Sequence, residues 1–267
     1  MLHYLSIEFL KIKKYRAFWV LAGLFVFLTV LIIFGVEQFI NNVTIKTNEQ
    51  NQMALPKTSL YQFPDIWHNI SFLAGYFKII LGIIFLFLFT NEYQYKTIRH
   101  SIINGMSRRE YFLSKTSMML VFTVLLTLIL LISGLILGFM HSEDITLQTV
   151  TGKLSFPFAF AAEVFFYLSF IFLAGTLIQR SGLAILLLLI YSYIIEPLLG
   201  FRLPDTVSDW LPLRSFGNII QVPETALMNL FGMKFEETVN LGSLGVGFLW
   251  ALIFNITSRL KNFLIIY

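Results

Sequence analysis

The stretch NEYQYKTIRHSIINGMSRREYFLSK, Asn91 to Lys115, interrupts two long apolar runs and holds five of the chain's 19 Lys and Arg residues. Tyr95, Ile98 and Ile102 recur at i, i+3, i+7, which predicts a helix over 92–103 continuing the apolar run before it. Asn104-Gly105 ends that helix, because both residues tolerate positive φ. Ser107-Arg108-Arg109-Glu110 fits a capping box, in which hydroxyl and carboxylate each satisfy an orphan amide where the next helix starts. That helix leads on through Tyr111, Phe112 and Lys115. A helical hairpin over 91–116, with basic and apolar faces, is therefore expected between two spans, suited to docking in a groove of a soluble partner.

The flanks decide what kind of molecule carries this hairpin. Of 267 residues 57% are hydrophobic and 13% charged, against about half and a quarter in soluble domains; mean hydropathy is +0.77. A crossing takes about 20 mostly apolar residues, and six such runs occur, near 18–38, 70–90, 117–139, 157–178, 183–200 and 241–258. The expectation is an all-α integral membrane protein, one transmembrane domain of six helices. The first run exceeds the ~7–15 residues of a signal-peptide core, and no small-x-small cleavage site follows it, so it is expected to stay as an anchor. Segment 201–240 is long for a structureless loop and should carry helices of its own, one of them beginning at Pro223-Glu224-Thr225, running from Ala226 to Phe231 and stopped by Gly232.

Lys and Arg set orientation. Lys11, Lys13, Lys14, Arg16, Lys96, Arg99, Arg108, Arg109, Lys115, Arg180, Arg259 and Lys261 fall on one side, whereas Lys46, Lys57, Lys153, Arg202, Arg214 and Lys234 fall on the other. Both termini are thus expected in the cytoplasm. Before the first span, Leu2, Leu5, Phe9 and Ile12 form one face of a helix over 1–17 whose lysines point elsewhere. Such a helix lies in the interface, where each cation favours anionic lipid by about 1 kcal/mol.

With these residues in place the chain resembles the permease subunits of bacterial type-2 ABC exporters. The resemblance covers a basic amphipathic start ending in Lys-Lys-Tyr-Arg-Ala-Phe-Trp, six spans, a wide external loop after the first and a long one before the last. Its most specific part is Asn91-Glu92-Tyr93, Lys96-Thr97-Ile98-Arg99, Gly105-Met106-Ser107-Arg108-Arg109-Glu110-Tyr111 and Ser114-Lys115. This is similar to the family's acid at the end of the second span, Gly-Thr-Leu-Arg-like turn and Ser/Arg-x-x-aromatic-x-x-x-Lys helix, with Lys96 where Gly is usual. The resemblance implies a coupling helix against a separate ATPase, with residues 93–106 as main contact, and an elbow helix at the N-terminus. It assigns Glu92, Tyr95, Ile98, Arg99, Ile102, Gly105, Ser107, Arg109 and Glu110 to ATPase coupling. It also implies a second permease copy or a homologous permease, a plasma (inner) membrane location, and an external or re-entrant course for 201–240. ATP and Mg would sit on the partner, since no G-x-x-x-x-G-K-[ST] run occurs here.

Three charges fall inside predicted spans, where each costs about 2.5–3.5 kcal/mol. At ~1.5 Å per residue, Lys78 lies roughly 12 Å, Glu163 roughly 9 Å and Glu196 about 6 Å from the external ends of their runs. Lys78 can therefore pair with either carboxylate, and the group is a candidate gate or brace on a pathway. Glu196-Pro197, followed by Gly200, suggests a broken helix. No cysteine is present, so disulfides, thiolate nucleophiles and cysteine metal sites are excluded. His3, His68, His100 and His141 have no metal-ligand spacing, and Gly-x-Ser-x-Gly is absent. Gly242, Gly245 and Gly247 are expected to form a close-packing helix face rather than a phosphate loop. The chain is thus expected to be no enzyme, to bind no cofactor or metal itself, and to contact lipid and no nucleic acid. The alternative is a non-transporting scaffold or sensor that uses the hairpin to hold a soluble partner.

Overall fold

The computed structural model describes residues 60–95, 97–223 and 238–265, with Arg16, Trp19, Val20, Gly23, Phe27 and Gly35 from the region before. These six are helical and exposed. The predicted elbow over 1–17 apart from Arg16, all but five residues of the first predicted span, and the helix from Ala226 to Phe231 lie outside the described residues.

Among the described residues the secondary structure is all helical. The elements are α1 (Ile66–Gln94), α2 (Thr97–Ile103), α3 (Arg108–His141), α4 (Leu147–Thr151), α5 (Ser155–Ile178) and α6 (Ser181–Ile190). After α6 come a π turn (Tyr191–Ile195), α7 (Glu196–Arg202), α8 (Asp205–Ser208), α9 (Pro212–Gly217) and α10 (Leu241–Ile265). Five stretches are long and apolar enough to cross a membrane: Ile66–Gln94, Arg108–His141, Leu147–Ile178, Ser181–Arg202 and Leu241–Lys261. They correspond to the last five predicted runs, extended at one or both ends because helices carry polar residues beyond the hydrocarbon.

α5 is the hub, packing on α1, α3, α6, α9 and α10. Lipid is as apolar as leucine, so association between such helices relies on close approach and interdigitation rather than on expelling water. Glycines supply the approach: Gly82 sits under Tyr167 and Ile171, Gly134 under Trp67, Gly138 under Phe63, Gly175 under Phe89 and Gly247 under Phe166. Gly242 and Gly245 have no packed neighbour of this kind, so the expected glycine face of the last span reduces to Gly247. Rings fill what remains, with Phe89 and Phe172 centroids 4.7 Å apart and Phe166 and Phe216 5.8 Å apart.

Successive spans alternate in direction, so the loops gather at two ends. At one end Trp67 Nε1 donates to Val150 O (2.7 Å), Phe63 N donates to Ser142 Oγ (2.9 Å), His68 Nε2 bonds Gln221 O (2.8 Å) and Trp250 Nε1 donates to Trp210 O (2.8 Å). Phe216, Ile219 and Ile220 of the segment after α7 are buried, with α9 packed on α5 and α10. The opposite end carries α2, the α5–α6 turn and the end of α10, where Lys261 Nζ donates to Leu177 O (3.3 Å). Arg99, Arg108, Arg109, Arg180, Arg259 and Lys261 lie at this basic end; Lys153, Arg202 and Arg214 lie at the loop-rich end. There Lys153 pairs with Asp65, and Arg214 with Asp209 and Asp205.

Two local expectations change. Proline removes a helix amide and clashes with the carbonyl four residues earlier. At Glu196-Pro197 the chain widens into the π turn over Tyr191–Ile195 and then continues as α7 with Pro197 in its first turn. The helix is therefore bulged, not broken. Conversely, the helix predicted over 92–103 is interrupted: α1 ends at Gln94 and α2 begins at Thr97. The Thr97 hydroxyl takes the Glu92 carbonyl (3.2 Å), which a continuous helix would give to the amide of residue 96.

Candidate functional site

Two constellations stand out, one at the basic end and one within the spans. At the basic end α2 closes with both hydrogen bonds of a Schellman motif, Gly105 N to Ile102 O (3.0 Å) and Met106 N to Ser101 O (3.1 Å). Gly105 holds φ +98°, which a side chain would resist. Four residues take the chain into α3, whose capping box is complete: Glu110 N donates to Ser107 Oγ (3.3 Å) and Ser107 N to Glu110 Oε2 (2.8 Å).

The hairpin is held to the bundle by a buried ion pair. Lys115 Nζ donates to Glu92 Oε1 (2.7 Å), and Tyr111 Oη donates to Glu92 Oε2 (3.2 Å). Lys115 is 2% exposed. Tyr111 and Lys115 stand one turn apart on α3, and the ammonium lies 5.3 Å from the Tyr111 ring centre. Lys115, one of the cations that set orientation, is therefore also a buried structural partner. The readable signal was an acid ending one helix opposite an i, i+4 Tyr and Lys pair beginning the next.

The predicted coupling residues divide by exposure. Ile98 is buried and Ile102 half-buried against the core. Tyr95 is 70% exposed and Ile103, which the stripe passed over, 79% exposed. Gly105, Ser107 and Arg109 are exposed, Glu110 is half-buried, and Arg99 lies on α2. The most exposed apolar groups of the hairpin are thus Tyr95 and Ile103, and Ile98 anchors α2 from within.

In the spans, Lys78 of α1 forms an ion pair with Glu163 of α5. Gly75, one turn before Lys78, leaves room for the carboxylate, whose oxygens would lie 3.5 Å from a Cβ added there. Both residues sit nearer the loop-rich end of their helices. Glu196 is buried and makes no direct ion pair with Lys78; its Oε1 accepts the Arg214 amide (2.5 Å). Of the two carboxylates within predicted reach of Lys78, the structure therefore pairs it with Glu163. A cavity of about 270 Å³ adjoins the pair. The residues around it include Lys78, Glu163, Tyr167 and Ser192 and the apolar Phe72, Ile79, Leu213 and Ile220.

No group of His, Cys, Asp and Glu suited to a metal ion occurs among the described residues. No curated protein and no solved structure matches the chain. A family model described as ABC-2 family transporter protein matches residues 4–195, a stretch that takes in the capped hairpin, the Lys78–Glu163 pair and three of the five described spans entire. With more than two thirds of its length matched and its described part a bundle of apolar helices, the chain belongs to the ABC-2 family of transporter proteins and is a multi-pass membrane permease.

Proposed function

We propose that the chain is the membrane subunit of an ATP-driven exporter, energised by an ATPase on a separate polypeptide and working as a pair with a second copy or a homologous permease. The observation that carries this reading is the hairpin at the basic end. It is short, capped at both turns, bolted to α1 through Glu92 and Lys115, and presents Tyr95 and Ile103 outward. A push on α2 is then delivered to α1 and α3 together rather than absorbed by a loose loop. The concentration of cations at that end supports a cytoplasmic placement, with both termini on the same side of the plasma membrane. The Lys78–Glu163 pair would brace α1 against α5 toward the external side and gate an opening between them.

Copurification tests the reading. The tagged full chain, extracted in mild detergent from its own cells, should retain an ABC ATPase in equal numbers of subunits, and ATP hydrolysis should depend on the permease. Recovery of the chain with a soluble partner lacking ATPase activity would support the scaffold or sensor alternative instead.

A further inference from the structure

Exposed acids and exposed bases part company along the described chain. Asp65, Glu143, Asp144, Asp205 and Asp209 are exposed, and all belong to the loop-rich end. At the basic end the acids among the described residues are Glu92, buried against Lys115, and Glu110, half-buried with its Oε2 accepting the Ser107 amide. No exposed acid therefore balances the exposed Arg109, Arg180 and Arg259. Arg109 engages no hydrogen-bond or ion-pair partner among the described residues.

The position of Arg109 is also locally unfavourable. Arg108 and Arg109 open α3, where the summed peptide dipoles leave positive charge and an acid such as Glu110 is the residue that helps. A local preference broken on an exposed surface points to a task that needs the charge there. The neighbouring apolar groups say what kind of surface is met. Tyr95 and Ile103, 70% and 79% exposed, flank α2, whose exposed Thr97 and His100 come between them in the chain. Two separated side chains fill two pockets, whereas lying on a bilayer calls for a continuous apolar face. We infer that the ATPase groove receiving this hairpin has apolar pockets for Tyr95 and Ile103 and an acidic rim facing Arg109, so that charge steers the ATPase onto the hairpin and the apolar contacts hold it. This deepens the transport reading and rests on it for the existence of an ATPase partner.

The two contributions separate kinetically, because rim charges act on encounter and buried contacts on release. The ATPase recovered from the copurified complex is rebound to the full chain in nanodiscs, with association and dissociation followed separately. Association should slow about tenfold between ~0.05 and ~0.5 M salt. Arg109→Glu should slow it about tenfold at the lower salt and flatten the salt dependence. The same variant should slow amide exchange in the first turn of α3, since an acid suits that helix end. Weaker docking by a better-formed hairpin cannot come from lost folding. Ile103→Ala should instead speed dissociation and leave association unchanged. Arg259→Glu, which alters an exposed cation at the same end but off the hairpin, should change association less than about twofold.

Rates indifferent to salt and to Arg109→Glu overturn the acidic rim and leave the ATPase partner standing. Absence of any ATPase from the copurified material overturns both. Association slowed as much by Arg259→Glu as by Arg109→Glu assigns the attraction to the whole basic end and overturns the rim. If Arg109→Glu spares the ATPase and lowers the anionic phospholipid retained by the purified chain, the face belongs to a lipid surface and the inference fails.

Discussion

Two of the described ion pairs, Lys78–Glu163 and Lys115–Glu92, join one long helix to another, and their energetics are best judged against the loss of one partner. Breaking a buried pair strands an ion and costs about 3–5 kcal/mol, whereas replacing both partners with apolar groups is often neutral. Glu92→Gln should accordingly destabilise the purified protein by about 3 kcal/mol, and the double variant Glu92→Gln/Lys115→Met should recover most of that loss in thermal unfolding. Equal and additive losses would place Lys115 in solvent. Lys78→Met should likewise be worse than Lys78→Met/Glu163→Met. The intramembrane charges were legible from sequence as a group, because any ion in an apolar run is conspicuous. Which carboxylate Lys78 takes was not legible. The choice depends on Gly75 opening space for Glu163 and on the Arg214 amide claiming Glu196, both set by tertiary packing.

The elements show where one-dimensional pattern suffices. The turn from α2 to α3 could be read from Asn104-Gly105 and Ser107-x-x-Glu110, since caps are local hydrogen bonds between residues a few positions apart. Ser107→Ala should cost about 1 kcal/mol, measurable as earlier melting of the hairpin in hydrogen exchange; an unchanged exchange pattern would remove the cap from the account. The break between α1 and α2 was hidden because Tyr95, Ile98 and Ile102 keep helical spacing across it. Spacing records which positions match a period, not whether the backbone between them is continuous. The π turn escaped for a related reason: Pro197 announces strain without saying how the helix relieves it. Close packing was only half legible. Glycines in apolar runs suggest contact, but Gly247 packs under Phe166 while Gly245 meets nothing, and only the partner helices decide which. Gly82→Val, driven into Tyr167 and Ile171, should destabilise by about 1–3 kcal/mol, and Gly245→Val, facing open space, should leave the melting temperature nearly unchanged.

At the scale of the molecule, the chain divides its tasks between the two ends of one bundle. The loop-rich end is tied by hydrogen bonds from Trp67, His68 and Trp250 and by the buried segment around Phe216. The basic end carries the capped hairpin, joined to the spans through Glu92 and Lys115. α5 runs between them and packs on most of the other long helices, and α1 carries both Glu92 at the basic end and Lys78, whose partner Glu163 is on α5. Under the proposed function, α2 is the surface through which an ATPase drives this bundle. The chain has no cysteine, so Ile103→Cys introduces a single thiol at the hairpin's most exposed apolar position. In membranes holding the partner ATPase, a short bifunctional thiol reagent should join that position to the ATPase, and the joined complex should lose ATP-dependent transport. Ile103→Asp should weaken ATPase retention about tenfold while leaving insertion unchanged. Retention of the ATPase at wild-type affinity by Ile103→Asp, with no crosslink from Ile103→Cys, would rule out α2 as the ATPase contact.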